Sequence, residues 1–108
     1  MTQVAVIHTA FEDTPRTVAL VDAPEGTVEQ QLEYAYRWTQ NIMDSWSMKG
    51  EADGNDRVTL MAPLYEDENG KQWGHRSTSM GDHMLLGTTK YVVSAVGFEQ
   101  LEVDSVAN

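Results

Sequence analysis

One stretch of this 108-residue chain, and no other, carries the periodicity and end signals of a long helix, which limits what the rest can build. Thr27 is a favoured N-cap, and Gln30 three residues on completes a capping box. Glu29 and Glu33 place negative charge in the first turns, where the helix dipole favours it. Val28, Leu32, Ala35, Thr39 and Ile42 recur on one face, and Tyr36 and Met43 widen that stripe. The spacing predicts one main helix over 27–44, laid with this face on a sheet.

Everything around that helix reads as strand and turn. Residues 3–9 and 16–22 are rich in β-branched side chains and are separated by Glu12-Asp13-Thr14-Pro15, a turn signal. They are expected to pair antiparallel. Residues 45–56 read as a polar loop anchored by Trp46. Residues 57–65 read as a strand, bent or at an edge because Pro63 lacks an N–H. Asn69-Gly70 predicts a type I′ hairpin turn, with 71–75 as the return strand. Residues 84–86 and 90–93 flank Gly87-Thr88-Thr89 as a second hairpin, and 97–101 supplies a last short strand. Strands in runs around a single helix predict the α+β class. The expected architecture is a mostly antiparallel sheet of about five to seven short strands packed by the one helix. The length fits a single domain, residues 1–108.

Charge narrows the function classes. Seventeen acids against seven bases give a net −10. The acids concentrate in residues 1–33 and in 51–68, the latter holding Glu51, Asp53, Asp56, Glu66, Asp67 and Glu68. Nucleic-acid phosphates need lysine and arginine to displace their counterions, so direct DNA or RNA binding is not expected. An acidic field instead draws basic partners, including the nucleic-acid channel of an enzyme. The chain has no cysteine, which excludes disulfides and thiolate metal sites. No basic leader precedes an apolar run, and the longest such run, Val4-Ala5-Val6-Ile7, is too short for a membrane segment. The expectation is a cytoplasmic protein with no membrane partner.

The most distinctive segment is Gly74-His75-Arg76-Ser77-Thr78-Ser79-Met80-Gly81-Asp82-His83. One reading is a turn or a single helical turn capped by Ser77 or Ser79. The other is a polar pocket in which His75, Arg76, Ser77, Ser79 and Asp82 converge, with Arg76 as an anion-binding fork. Together with Lys90-Tyr91-Val92-Val93 and Gly97-Phe98-Glu99, this segment resembles the C-terminal half of YodL-like domains. The resemblance covers residues 74–101, about a quarter of the chain. Met80 stands where that family has a smaller apolar residue, and His83 and Gly87 interrupt its more regular strand. The resemblance implies a phage or mobile-element setting and names no catalytic residue.

Patterns that carry chemistry are otherwise missing. His75 and His83 lie eight apart, not at the four-residue spacing of a helical zinc pair. No serine sits in a nucleophile elbow, and Ser79, His75 and Asp82 lie too close along the chain to assemble a triad from separate elements. Asp53-Gly54-Asn55-Asp56 lacks the spacing of a calcium loop. No cofactor, metal or catalytic residue is predicted. An enzyme would require His75, Ser79, Asp82 and His83 to meet in one cleft.

Aromatic residues supply the remaining signal. Tyr34 and Trp38 flank the helix stripe, and Trp46 follows. They are core-edge residues or, with Glu51, Asp53, Asp56, Glu66, Asp67 and Glu68, an interaction surface. The function expected is therefore a non-enzymatic accessory protein that binds a host or phage protein, with an acidic inhibitor of a nucleic-acid-processing or defence enzyme as its sharper form. The alternative is a small structural or virion-assembly protein that works as a homo-oligomer.

Overall fold

The computed structural model describes residues 2–41, 45–48 and 57–101. The elements are β1 (Thr2–His8), β2 (Arg16–Ala23), α1 (Val28–Trp38), β3 (Val58–Leu60), β4 (Tyr65–Glu66), β5 (Gln72–Trp73), β6 (His83–Leu86), β7 (Thr89–Ser94) and β8 (Gly97–Gln100), with a 3₁₀ turn at Trp46–Met48. Six strands form one sheet in the order β3-β2-β1-β6-β7-β8, with every neighbour antiparallel. Strands β4 and β5 make a separate two-stranded hairpin. This is the α+β arrangement that the single helix demanded.

Alternation along the strands separates two faces. Val4, Val6 and His8 of β1 are buried, as are Val21 of β2 and Met84 of β6, and the register sets these strands' buried side chains side by side. Helix α1 covers this face with Leu32 and Ala35. Register shifts at Val6/Ile7, a β-bulge that buries both Val18 and Ala19. The opposite face carries Ala5, Ile7, Leu20, Leu85 and Val92, all only partly buried. No described element covers it.

The capping box is present: Thr27 accepts from Gln30 N at 3.1 Å, and the Gln30 side chain accepts from Thr27 N at 2.9 Å. The helix stops earlier than its periodicity predicts. Thr39 is the C-cap, and its hydroxyl donates back to Ala35 O at 2.9 Å. Gln40 and Asn41 then turn away to bond the 75–78 segment, so tertiary partners replace further helical turns. Val28, expected in the buried stripe, is 43% exposed at the helix start. Ile42 and Met43 lie outside the described residues.

Two strand expectations change in detail. The stretch 57–65 is not one strand. It leaves the main sheet after Leu60 and re-forms as β4 in the hairpin, with Pro63 in the break. At the hairpin tip Asp67 N donates to Lys71 O and Gly70 N to Asp67 O, both at 2.9 Å, and Gly70 has φ +80°. That is a three-residue loop closed by a left-handed glycine, not the two-residue type I′ turn expected at Asn69-Gly70. Asp67 decides it, because its carboxylate accepts from the N–H groups of Asn69 and Lys71. The second hairpin forms where expected, but its loop is only Gly87-Thr88: Thr89, expected in the turn, pairs with Leu86 as the first residue of β7.

Candidate functional site

The segment 74–82 crosses from the hairpin to β6 beneath the β1–β2 loop, and its side chains knit those parts together. Asp82 is completely buried. Its Oδ1 accepts from Thr9 N at 2.8 Å, Ala10 N at 2.9 Å and Arg76 Nη2 at 2.8 Å. Its Oδ2 accepts from Arg76 Nη1 at 2.7 Å and Ser79 N at 2.8 Å. Burial alone would raise the pKa of this carboxyl, but Arg76 and the three backbone N–H groups outweigh it and hold it at about 2. Arg76 forks further, donating to both oxygens of Glu12 at 2.8 and 3.2 Å. The two carboxylates push the guanidinium pKa further up, with the Asp82 hydrogen bonds first. In return the Arg76 hydrogen bonds pull Glu12 below the usual carboxylate range. Gly81, at φ +94°, closes the Ser79–Asp82 turn, and a Cβ there would lie 3.1 Å from the Ala10 Cβ.

A second chain of bonds runs beside it. Thr39 Oγ1 donates to Ala35 O, and Thr78 Oγ1 donates to Thr39 Oγ1 at 2.8 Å. With its proton so committed, Thr78 can only accept from His8 Nε2, 3.0 Å away, so His8 carries a proton on Nε2. Burial lowers the His8 pKa to about 4, with Asp82 opposing and Arg76 assisting, so the ring is neutral near pH 7. Trp46 fills the space between the histidines. It stacks on His75 at 5.9 Å, meets His8 edge-on at 6.3 Å, and donates its indole N–H to Arg76 O at 2.8 Å.

The expected polar cluster is thus a closed one. His75 Nε2 donates to Ala62 O, the Ser77 hydroxyl accepts from Asn41 N, and the Ser79 hydroxyl donates to Ser77 O. These bonds keep His75, Ser79 and Asp82 from forming a triad, and His83 points to the opposite sheet face from His8. Among the described residues no group of three or more metal-ligating side chains exists. His8, Thr78, Thr39 and Glu12 are not among the site residues expected from the sequence. One signal was legible: the alternation Val4, Val6, His8 puts a polar ring on a buried face, where it needs a partner.

The expected interaction surface needs correction. Trp46 is 1% exposed and belongs to the core, because its indole N–H finds Arg76 O and its ring finds two histidines. Tyr34 and Trp38 are half-buried and lie against each other, ring centroids 6.1 Å apart. Glu51, Asp53 and Asp56 fall outside the described residues. Glu66 and Glu68 are exposed, whereas Asp67 is occupied in the turn and accepts from the Trp73 indole N–H at 3.1 Å. The exposed aromatic surface lies elsewhere. Tyr65 and Trp73 face each other across the hairpin, 49% and 51% exposed. Phe11 and Met61 are also exposed. Phe11 and Tyr65 share a groove with Glu12, Asp13, Thr14 and Arg16. Three of the seven bases sit over these rings: Arg16 over Tyr65, Lys71 over Trp73 and Arg76 over Phe11.

Family models, curated proteins and solved structures were all compared with the chain, and none matches. No described helix is long and apolar enough to cross a membrane.

Proposed function

We propose that this chain is a non-enzymatic accessory protein of a phage or mobile element that binds a host or phage protein. Its sharper form is an acidic inhibitor of a nucleic-acid-processing or defence enzyme acting in the host cytoplasm. One observation carries the reading: Tyr65 and Trp73 remain half-exposed on a two-stranded hairpin, beside Glu66 and Glu68. Large exposed rings are costly to keep in water and are the usual anchors of protein interfaces. The net charge of −10 favours a basic partner surface over nucleic acid itself. Segment 74–82 supports the reading in a different way, since its polar groups are spent on one another. The resemblance of 74–101 to YodL-like domains supports the mobile-element setting.

The test is capture from host lysate at low and high salt, with the parent chain and with Trp73→Ser/Tyr65→Ser. A nucleic-acid enzyme retained at low salt, released as salt rises and lost with the double variant is the expected result. Equal capture by parent and variant would remove the hairpin from the interface, and absence of any specific partner would overturn the reading.

Self-association is the second reading, favoured by the open sheet face bearing Ala5, Ile7, Leu20, Leu85 and Val92. Solution mass measured over a concentration series decides it. A dimer that Leu20→Lys converts to monomer supports it, and a monomer at all concentrations excludes it.

A further inference from the structure

A separate groove lies between α1 and the β7–β8 hairpin. It holds about 400 Å³ and is lined by Glu29, Glu33, Tyr36 and residues 93–98. Its floor is apolar and aromatic: Val93 is buried, and Tyr36 meets Phe98 edge-on with centroids 6.2 Å apart. Val96, at the hairpin tip, is 92% exposed on its rim. One turn of helix separates Glu29 from Glu33, so both carboxylates stand on the same wall. Neither has an ion-pair partner among the described residues.

From this geometry we propose that the groove receives an arginine side chain of a protein partner. This rests on the reading of the chain as a protein-binding module. Charge complementarity selects the occupant. Two carboxylates without an ion-pair partner among the described residues, beside an aromatic floor, repel an acidic or phosphorylated group, and a wholly apolar side chain would desolvate them without offering a partner. Guanidinium answers both walls at once, since it forks onto carboxylates and lies flat on aromatic rings. Lysine offers a point charge with no planar face and fits less well. The chain's own residues 102–108 include Glu102 and Asp104 and no base, so their charge is wrong for this groove.

The experiment is an ¹⁵N-resolved NMR titration of the whole chain with acetyl-Ala-Arg-Ala-amide, run in parallel with the neutral isostere acetyl-Ala-citrulline-Ala-amide. The expected result is a saturable shift confined to the amides of the groove, those of Val96 and Gly97 among them. The citrulline peptide and the Glu29→Gln/Glu33→Gln variant should each bind at least about fivefold more weakly. Both glutamates are exposed on the helix surface, so the variant should fold, and an unchanged spectrum elsewhere verifies that. No saturable shift up to about 20 mM peptide would overturn the proposal. So would equal binding of the two peptides, or undiminished binding by the variant. Lysate capture by the parent chain that the Glu29→Gln/Glu33→Gln variant retains in full would sink the groove and spare the binding function. Arginine-peptide binding without any captured partner would do the reverse.

Discussion

Asp82→Asn puts the closed polar network under the sharpest test, because the change keeps the shape of the side chain and removes only its charge and one acceptor. Five N–H donors converge on the carboxylate, three on Oδ1 and two on Oδ2. An amide has a single acceptor oxygen, so in either orientation at least two of those donors face an NH₂ group. Each buried donor left unsatisfied costs about 1–3 kcal/mol. Arg76 keeps Glu12 but loses its fully buried partner. The sum is about 3–5 kcal/mol, the range seen when one side of a buried pair is removed. That is a large part of the roughly 5–15 kcal/mol available to a domain of this size. At about 4–8 °C per kcal/mol, Tm should fall by at least about 12 °C. Urea unfolding followed by intrinsic tryptophan fluorescence measures it, since Trp46 is buried against the network. A cycle with Arg76→Gln should be clearly non-additive. A loss below about 1 kcal/mol, or strict additivity with Arg76→Gln, would refute the closed network and mean that water already reaches Asp82.

Acid should act in two steps. His8 has its folded pKa depressed from 6.5 to about 4, so its contribution is intact above 6.5 and is lost as pH falls through that window, in all about 3 kcal/mol. Asp82, depressed from 3.8 to about 2, gives way only below that. The urea midpoint should therefore drop between pH 6.5 and 4, and His8→Gln should flatten that limb; a parent midpoint constant over the range would contradict a neutral buried ring. Gly81→Ala should cost about 1–3 kcal/mol, because the positive φ and the approach of Ala10 both resist a Cβ; a neutral effect by thermal melt would mean the turn adjusts freely. Trp46→Ala should cost about 3–5 kcal/mol and Trp73→Ala less than about 1 kcal/mol, a contrast readable by urea unfolding and inverted if the burial assignment is wrong.

What the sequence determined by itself is local. The capping box at Thr27 and Gln30, the alternation in β1 and β2, and the presence of a hairpin turn after Leu86 depend on neighbours a few positions away. Period and turn chemistry are short-range properties, so the α+β class was legible from them. Contacts between distant residues settled the rest. His8 meets Thr78 across 70 positions, Asp82 reaches Thr9 across 73, and Arg76 reaches Glu12 across 64. No local pattern encodes such a pairing, so 74–82 read first as a turn, with a polar pocket as the other reading. The helix end moved for the same reason: Thr39, Gln40 and Asn41 suit a longer helix until 75–78 offers them partners. Trp46 and Trp73 both lie in polar stretches, and hydrophobicity cannot rank them. Trp46 is buried because Arg76 O and two imidazoles wait for it in the folded core, and Trp73 stays in water because a two-stranded hairpin has no second layer to cover it.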